Sequence, residues 1–427
     1  MAKQNLLDFS FIVTTRNDNH GGNMYLKNQF FVNRWAYNVK KLDINCELII
    51  VDWNSEKNLR NKIIIPKLNK NQSIRIIEVP NRIHKKFKNH KKLNMFQMIA
   101  KNVGARRALG KYLILTNIDI IFSNSLLEFL KNKKLNENFI YRVDRYDINF
   151  NKFDNFKITE QSLDSNVTHI NKKYYTYDIV KNIKYWTYNS FSGAIINLLK
   201  NFFDNIKYLT MLFYHIAINL LKIYYLLVIN LIKICYFTLS KINRLNKFKL
   251  LKLKNKYLLN ILKKINYITE INYLKLITGY LKLITGYPKI IINDLKLLLT
   301  IIISPKLHTN ACGDFQLISK KTFINLSGYY EYDGYSFHID SILMWKAYFM
   351  GYKFKDLKFK MFHINHTEGY TNSNELFKNL KKKDINYISN NRLIRIINNL
   401  KKNMNYLNNA KFGLVDYKLN EFFFNKH

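Results

Sequence analysis

Two aspartates stand at the ends of apolar runs that are typical of buried strands. Asp52 directly follows the apolar run at 48–51, and Asp119 comes shortly after the run at 112–115. In an open α/β sheet, ligands bind in the crevice beyond the carboxyl ends of the strands, so a carboxylate at such an end faces the ligand. Two strands that both end on an aspartate therefore predict one polar cleft.

The elements that would position these aspartates alternate between strand and helix as far as about residue 122. Short apolar runs predict strands, and apolar residues at helical spacing predict the helices between them. The predicted strands are 9–15, 48–52, 74–79 and 112–115. The predicted helices pass through Phe30, Phe31 and Trp35 and through Phe96, Ile99 and Val103, the second ending at Gly110. This succession predicts a parallel sheet with right-handed crossovers.

The chain changes character in its later parts. Residues 123–196 are rich in Asn, Asp and Tyr, and we expect them to form loops and short strands that cover the cleft. After Pro305 the α/β pattern returns and continues to about residue 370. Residues 371–427 are rich in Lys and Asn with scattered apolar positions, which predicts a basic helical tail.

The segment 197–305 is both apolar and strongly basic. It holds 17 Lys and Arg against three acidic residues, which gives a net charge of +14. Lys222 and Lys233 lie 11 residues apart, close to three helical turns, so they share one face of a predicted helix whose remaining surface is apolar. Such a helix fits three arrangements: contact with an anionic membrane interface, a membrane span, or ordinary packing on the sheet or on a second copy.

The whole chain carries a formal net charge of +40, from 69 Lys and Arg against 29 Asp and Glu. This charge favours polyanions, anionic lipid surfaces or phosphorylated substrates as partners, although abundant Lys, Asn and Ile equally fit a drift towards A+T-rich codons. Cys46, Cys235 and Cys312 are far apart and predict neither a disulfide framework nor a metal cluster. Because the first residues lack a signal-peptide run, we expect a cytoplasmic protein.

Two groups of segments stand out by their order and spacing. In the first half they are Phe11-Ile12-Val13-Thr14-Thr15-Arg16-Asn17-Asp18, Leu48-Ile49-Ile50-Val51-Asp52 and Asn117-Ile118-Asp119. In the second half they are Ala311-Cys312-Gly313-Asp314-Phe315-Gln316-Leu317, Leu326-Ser327-Gly328-Tyr329 and His338-Ile339-Asp340. Together these segments resemble the inverting glycosyltransferases of family 2. The resemblance covers roughly 8–122 and 306–370. It implies the GT-A fold, an α/β fold whose mostly parallel sheet is flanked by helices, here interrupted by a helical insertion.

The resemblance also implies a domain organisation and a reaction. Residues 1–196 would form the nucleotide-sugar-binding half of the GT-A domain and 306–370 the acceptor half, with 197–305 as the insertion and 371–427 as the tail. The implied enzyme moves a sugar from a nucleotide-diphosphate donor to a glycan, lipid or polysaccharide acceptor. The insertion would hold it at an anionic membrane surface, peripheral at the inner face, and nucleic acid is not an expected partner.

On the donor side, the resemblance assigns four residues to the nucleotide sugar. Asp52 matches the position that recognises the base through a hydrogen bond. Thr14 and Asp18 lie at the exit of the neighbouring strand. Asp119 matches the last carboxylate of a D-x-D-like motif, which in the family holds Mn²⁺ or Mg²⁺ against the leaving diphosphate.

The implied metal site is only partly represented in this sequence. Asn117 stands where the D-x-D-like motif has its first aspartate, so Asp119 is the one carboxylate of the motif that carries over. Some GT-A enzymes add a histidine from the region that here contains His363 and His366. We take His366 as the second metal-ligand candidate and keep His363 as the alternative.

On the acceptor side, the resemblance assigns catalysis to Asp340. It matches the carboxylate that removes the proton from the acceptor hydroxyl, and His338 replaces the Glu that usually precedes it. Gly313 and Asp314 match the loop that contacts the acceptor, where a small residue lets the backbone approach the sugar.

Each aspartate also has an ordinary structural explanation. Asp52 fits a loop cap beside Ser55, Asp119 fits a turn with Ser123, and Asp340 fits an N-cap. In the same way, the function has an alternative from another class: a non-catalytic basic GT-A-like protein that binds anionic lipid or nucleic acid. The presence of all three aspartates favours the enzyme, because binding a polyanion through basic charge does not require them.

Overall fold

The computed structural model describes residues 7–18, 24–132, 134–150, 156–186, 307–365, 373–405, 407–408 and 410–424, together with scattered positions between 214 and 233. Two compact units divide the chain. One consists of Met1–Ser190 with Lys306–His427, and the other is Phe191–Pro305. In the second unit the described positions are helical, and the membrane contact predicted for 197–305 falls largely on residues outside the described set. No helix built from described residues is long and apolar enough to cross a bilayer.

The first unit is built on four parallel strands, and they occupy the segments predicted as strands. They are β1 (Phe9–Thr15), β2 (Cys46–Trp53), β3 (Gln72–Val79) and β4 (Tyr112–Thr116). Their order in the sheet is β3-β2-β1-β4, and every pairing between them is parallel. These strands read as continuous apolar runs because both of their faces are covered by helices.

The complete sheet is mixed rather than mostly parallel. Its further strands are β5 (Ile120–Phe122), β6 (Phe139–Ile148), β7 (Val167–Asn171), β8 (Tyr175–Asp178), β9 (Ile183–Trp186), β10 (Phe315–Ser319), β11 (Lys353–Ile364) and β12 (Asn420–Phe424). The strand β10 enters antiparallel between β4 and β6, and β7, β8 and β9 continue the sheet as antiparallel neighbours. The segment predicted to be loops and short strands therefore also supplies β6, a ten-residue strand that reaches the site.

The helices cover both faces of the sheet. They are α1 (Met24–Leu42), α2 (Asn81–His84), α3 (Gln97–Arg107), α4 (Asn124–Lys131), α5 (Glu160–Asp164), α6 (Lys320–Asn325), α7 (Ile339–Phe349), α8 (Ser373–Lys382) and α9 (Asn390–Lys402). Trp35 of α1 packs on one face with Phe11 and Ile50, whereas Ile99 of α3 packs on the other face with Ile12. Alternate residues of each strand thus enter different cores, as the two-residue period of a strand requires.

The helix α3 ends at Arg107, earlier than the predicted end at Gly110. Ala108 already has an extended ψ of 145°, which stops the helix. Gly110 has a different role, because a Cβ at this position would lie 2.4 Å from the backbone of Phe9 and Ser10. The prediction of a glycine helix cap is therefore wrong, and the glycine allows the close approach of β1.

The C-terminal segment contains a strand as well as the predicted helices. Helix α9 packs against α7, and β12 pairs antiparallel with β3 at the edge of the sheet. Glu421 of β12 bonds to Arg75 at 3.1 Å, and Arg75 in turn donates to the buried carboxylate of Glu47 at 2.9 Å. This part of the chain therefore belongs to the folded unit.

Candidate functional site

A cleft of about 580 Å³ opens beyond the end of β4. Its walls come from distant parts of the chain, including Asn117 after β4, Arg145 in β6, the Gly313-Asp314 loop before β10, and Asp340 in α7. Three predicted site residues, Gly313, Asp314 and Asp340, therefore lie around one space. The helices α8 and α9 complete the wall with residues of the segment predicted to be a tail.

Asn117 is hydrogen-bonded to both sides of the cleft. Its amide nitrogen donates to Asp314 Oδ1 at 2.5 Å, and its Oδ1 accepts from Gln97 Nε2 at 3.1 Å. The second oxygen of Asp314 pairs with Arg145 at 2.5 Å. Asp314 is thus fixed by one neutral and one charged donor at the floor of the cleft.

A chain of ion pairs leads from Arg145 to Asp119. Arg145 also contacts Asp147 at 2.9 Å. The carboxylate of Asp147 is further bonded to His363 Nδ1 at 2.9 Å and to the amide nitrogen of Asn171 at 2.7 Å. On its far side, His363 Nε2 lies 3.6 Å from Asp119 Oδ2. Asp119 and Asp314 are therefore connected through alternating charges.

These contacts shift the pKa values of the groups in the chain. Burial and Arg145 lower the pKa of His363, but Asp119 and Asp147 outweigh them and raise it to about 10. Burial raises the pKa of Asp147, but Arg145 and His363 together lower it to about 2. His363 is consequently an imidazolium at neutral pH, and its charge balances two carboxylates.

Asp340 lies in the first turn of α7, where the helix dipole favours a negative charge. Its Oδ1 accepts the backbone N–H of Ser341 at 2.8 Å. A Cβ at position 313 would lie 2.9 Å from Asp340 Oδ2, so the absence of a side chain at Gly313 leaves room for this carboxylate. The predicted need for a small residue at 313 therefore has a local cause, the proximity of Asp340.

Lys101 is a buried cation that the sequence reasoning did not identify. It lies in α3, is fully buried, and donates from Nζ to the carbonyl oxygen of Gly313 at 2.6 Å. Burial lowers its pKa to about 8, and the nearby charges of Asp314 and Asp340 oppose that effect. Lys101 thus holds the loop of Gly313 while adding positive charge below an acidic cleft.

Arg142 holds the same loop from β6. Its side chain is fully buried and donates to a series of backbone carbonyls at 3.1–3.3 Å, those of His308, Asn310, Ala311 and Cys312. Ala311 has a φ of 48°, in the left-handed region that a non-glycine residue rarely adopts. Because Arg142 and Lys101 both bond the loop backbone, they stabilise a conformation that the loop sequence itself does not favour.

Asp52 lies at the end of β2, apart from the Asp340 cleft. Its carboxylate accepts hydrogen bonds from Ser55 and from the backbone N–H of Leu59, and burial raises its pKa to about 6. It also lines a smaller pocket of about 150 Å³ together with Arg82 and Lys418. Asp52 therefore caps the loop after β2 and also faces a pocket that a ligand can enter.

The other two predicted donor-side residues lie at different places. Thr14 follows Ile12 on the sheet face covered by α3, whereas Asp52 lies on the face covered by α1, and its register partner is Thr15. Asp18 pairs with Arg16 at 3.0 Å in the loop after β1. Because alternate residues of β1 face opposite sides of the sheet, Thr15 rather than Thr14 lies beside Asp52.

The structure describes some of the residues that the resemblance assigns to a metal site. His366 lies outside the described residues, whereas His363 lies beside Asp119. Among described residues, no group of three or more His, Cys, Asp or Glu is arranged to hold a metal ion. Mg²⁺ is commonly bound by one or two carboxylates plus substrate phosphates, and Asp119 fits that partial set. A metal at this point would compete with the His363 proton for Asp119.

Sequence reasoning missed the cations of the site for an identifiable reason. Lys101, Arg142 and Arg145 are three of 69 basic residues, and nothing in their sequence neighbourhood shows that they bond to the loop at 308–314.

No protein-family model matches the chain, and a search among curated proteins finds no significant similarity. The family resemblance therefore stays a prediction from the motifs.

Proposed function

We propose that this protein is an inverting glycosyltransferase that uses a nucleotide-diphosphate sugar. The observation that carries the proposal is the acidic cleft at the end of β4 in a chain with a net charge of +40. Asp314 and Asp340 meet there, and Asp119 is linked to Asp314 through ion pairs. Excess basic charge does not produce such a cluster, whereas the proposed reaction uses carboxylates both as a general base and as ligands of a divalent cation.

The transfer assigns Asp340 as the general base. The acceptor hydroxyl approaches C1 of the donor sugar from the face opposite the diphosphate, and its proton moves to Asp340 Oδ2. A bond forms between the acceptor oxygen and C1 while the bond from C1 to the phosphate oxygen breaks. The nucleoside diphosphate leaves with the electron pair, and the configuration at C1 is inverted.

The leaving diphosphate needs positive charge. Asp119, together with His366 or His363, would hold a divalent cation, which would supply Lewis acidity when bound. Lys101 and Arg145 keep the Asp314 loop in place. Asp52 and its pocket contribute the site for the nucleotide base.

The binding-protein alternative receives less support from the cleft. A protein that only binds anionic lipid or nucleic acid would use its basic surface, and such binding does not require the carboxylates of Asp314 and Asp340 in a cleft. A cytoplasmic enzyme held at the inner face of a membrane through 197–305 remains part of the proposal.

A screen of nucleotide sugars tests the function directly. We expect one donor to be hydrolysed slowly in the presence of Mn²⁺, with water as the acceptor. Asp340→Asn should lower this rate by about 10²–10⁴-fold while nucleotide affinity is retained. The matched control is Asp384→Asn, whose side chain is 91% exposed and pairs with Lys92. If no donor is hydrolysed and no nucleoside diphosphate binds, the proposal fails.

A further inference from the structure

One group of residues that line the cleft, which we call its aromatic wall, has a distinct chemical type. Tyr335, Phe337 and Trp345 supply aromatic surface, while Ser336 and Asn390 supply hydroxyl and amide groups. Aromatic rings pack well against the C–H faces of sugar rings, and uncharged polar groups match sugar hydroxyls. The composition of this wall therefore suits a ligand that is polar but uncharged.

The charges of the residues that line the cleft also favour an uncharged ligand. Among the described residues that line it, Arg145 is the one Lys or Arg, and it is engaged by Asp314 and Asp147. Asp314 and Asp340 add negative charge. A phosphate group on the acceptor would meet like charge and no available lining cation, which costs affinity. This is notable because basic residues outnumber acidic ones by 69 to 29 over the whole chain.

His338 and Asn390 form a hydrogen-bonding pair on this wall. His338 Nε2 and Asn390 Oδ1 lie 2.8 Å apart, and because this oxygen only accepts, the ring donates from Nε2. The ring Nδ1 is then an acceptor, and the Asn390 amide nitrogen is a donor. Burial lowers the pKa of His338, so the pair is neutral near pH 7.

His338 has a strained backbone conformation, and such strain is concentrated at functional sites. Its φ is 68°, a left-handed conformation that costs energy for a residue with a side chain. The ring also contacts that of Phe337, with centroids 4.1 Å apart. Strained backbone persists where surrounding contacts hold it, and here it presents a neutral donor–acceptor pair two residues before Asp340.

We infer that the acceptor bound in this cleft is a neutral saccharide, held on the aromatic wall and recognised by the His338–Asn390 pair, rather than a phosphorylated lipid. That the saccharide is an acceptor rests on the proposed function. The saccharide site itself is inferred from the residues that line the cleft.

The test measures binding to the full-length protein in the presence of UDP and Mg²⁺. Saturation-transfer NMR is recorded with maltose, cellobiose, lactose and N,N′-diacetylchitobiose as neutral probes, and with farnesyl phosphate as the lipid-phosphate probe. Asn390→Ala removes half of the recognising pair, and Ser389 still caps α9 through its bond to Arg392 N. Asn398→Ala, an exposed position on the same helix, is the matched control.

We expect at least one neutral disaccharide to bind, with affinity about fivefold weaker in Asn390→Ala and unchanged in Asn398→Ala. We expect no signal from farnesyl phosphate. Binding of farnesyl phosphate alone, failure of every disaccharide while UDP still binds, or equal effects of the two substitutions each overturn the inference. UDP binding is measured separately by calorimetry. Disaccharide binding without any nucleotide binding would refute the proposed function and leave the saccharide site standing.

Discussion

The side-chain amide of Asn117 donates to the carboxylate of Asp314, with 2.5 Å between Nδ2 and Oδ1. This contact gives a reason for an amide at 117, where the proposed family resemblance implies an aspartate. A carboxylate at 117 would face that of Asp314 at hydrogen-bond distance, and two like charges this close cannot both stay ionised without cost. The amide at position 117 and the carboxylate of Asp314 therefore depend on each other.

Asn117→Asp should destabilise the protein, because it replaces a hydrogen bond by repulsion between carboxylates. We expect a loss of about 2–3 kcal/mol in the free energy of unfolding at pH 7. The exchanged pair, Asn117→Asp with Asp314→Asn, restores one donor and one acceptor and should recover at least half of the loss. Urea unfolding of both single variants and the double variant gives the coupling energy. Additive effects would show that the two side chains do not interact as described.

Gly313→Ala should impair the proposed reaction through Asp340. The added Cβ would lie 2.9 Å from Asp340 Oδ2, so the carboxylate must move. Displacement of a catalytic group by about 1 Å costs on the order of 10²-fold in rate. We expect this loss in donor hydrolysis, with nucleotide affinity retained. In the background of Asp340→Asn, Gly313→Ala should cause little further loss, and a full second loss would mean that the glycine acts elsewhere.

The strands of the first half could be predicted because their residues are apolar on both faces. The segments at 9–15 and 112–115 lie between two helical layers, so burial alone makes them recognisable. The placement of Asp340 in the first turn of a helix also agrees with the pattern that follows it. These features follow from residues that are neighbours in the sequence, so they can be predicted without knowledge of the fold.

The cations of the site depend on long-range contacts and were not predictable. Lys101 bonds to Gly313, 212 positions away, and Arg145 to Asp314, 169 positions away. A lysine in a helix that ends in Arg106-Arg107 looks like part of a solvated face, especially in a chain rich in lysine. The segment after residue 306 supplies the atoms to which Lys101 and Arg145 bond. The parallel-sheet prediction was incomplete because β10 of that segment and β7, β8 and β9 of the segment 123–196 join the sheet antiparallel.

Asp119→Ala should weaken the metal-dependent part of nucleotide binding. Calorimetry with UDP should show tighter binding with Mn²⁺ than without it for the unaltered protein, and this gain should fall at least tenfold in the variant. Asp416→Ala, at an exposed carboxylate paired with Lys411, is the control. Parallel titrations of His363→Ala and His366→Ala identify which histidine assists the metal. An unchanged Mn²⁺ effect in Asp119→Ala would remove Asp119 as a ligand.

Lys101→Met should change how stability depends on pH. The pKa of Lys101 is about 8 in the folded protein against 10.5 ordinarily, so the folded state disfavours the ammonium form. The resulting cost, roughly 3 kcal/mol, is complete below pH 8 and disappears as the pH rises to 10.5, where the unfolded chain also loses the proton. Methionine avoids this cost but loses the bond to the Gly313 carbonyl, worth about 1–2 kcal/mol. The variant should therefore match or exceed the unaltered protein in stability at pH 7 and become less stable than it near pH 10. Urea unfolding at both pH values measures the crossover, and two stability curves that stay parallel would show that Lys101 is not buried as an ammonium group.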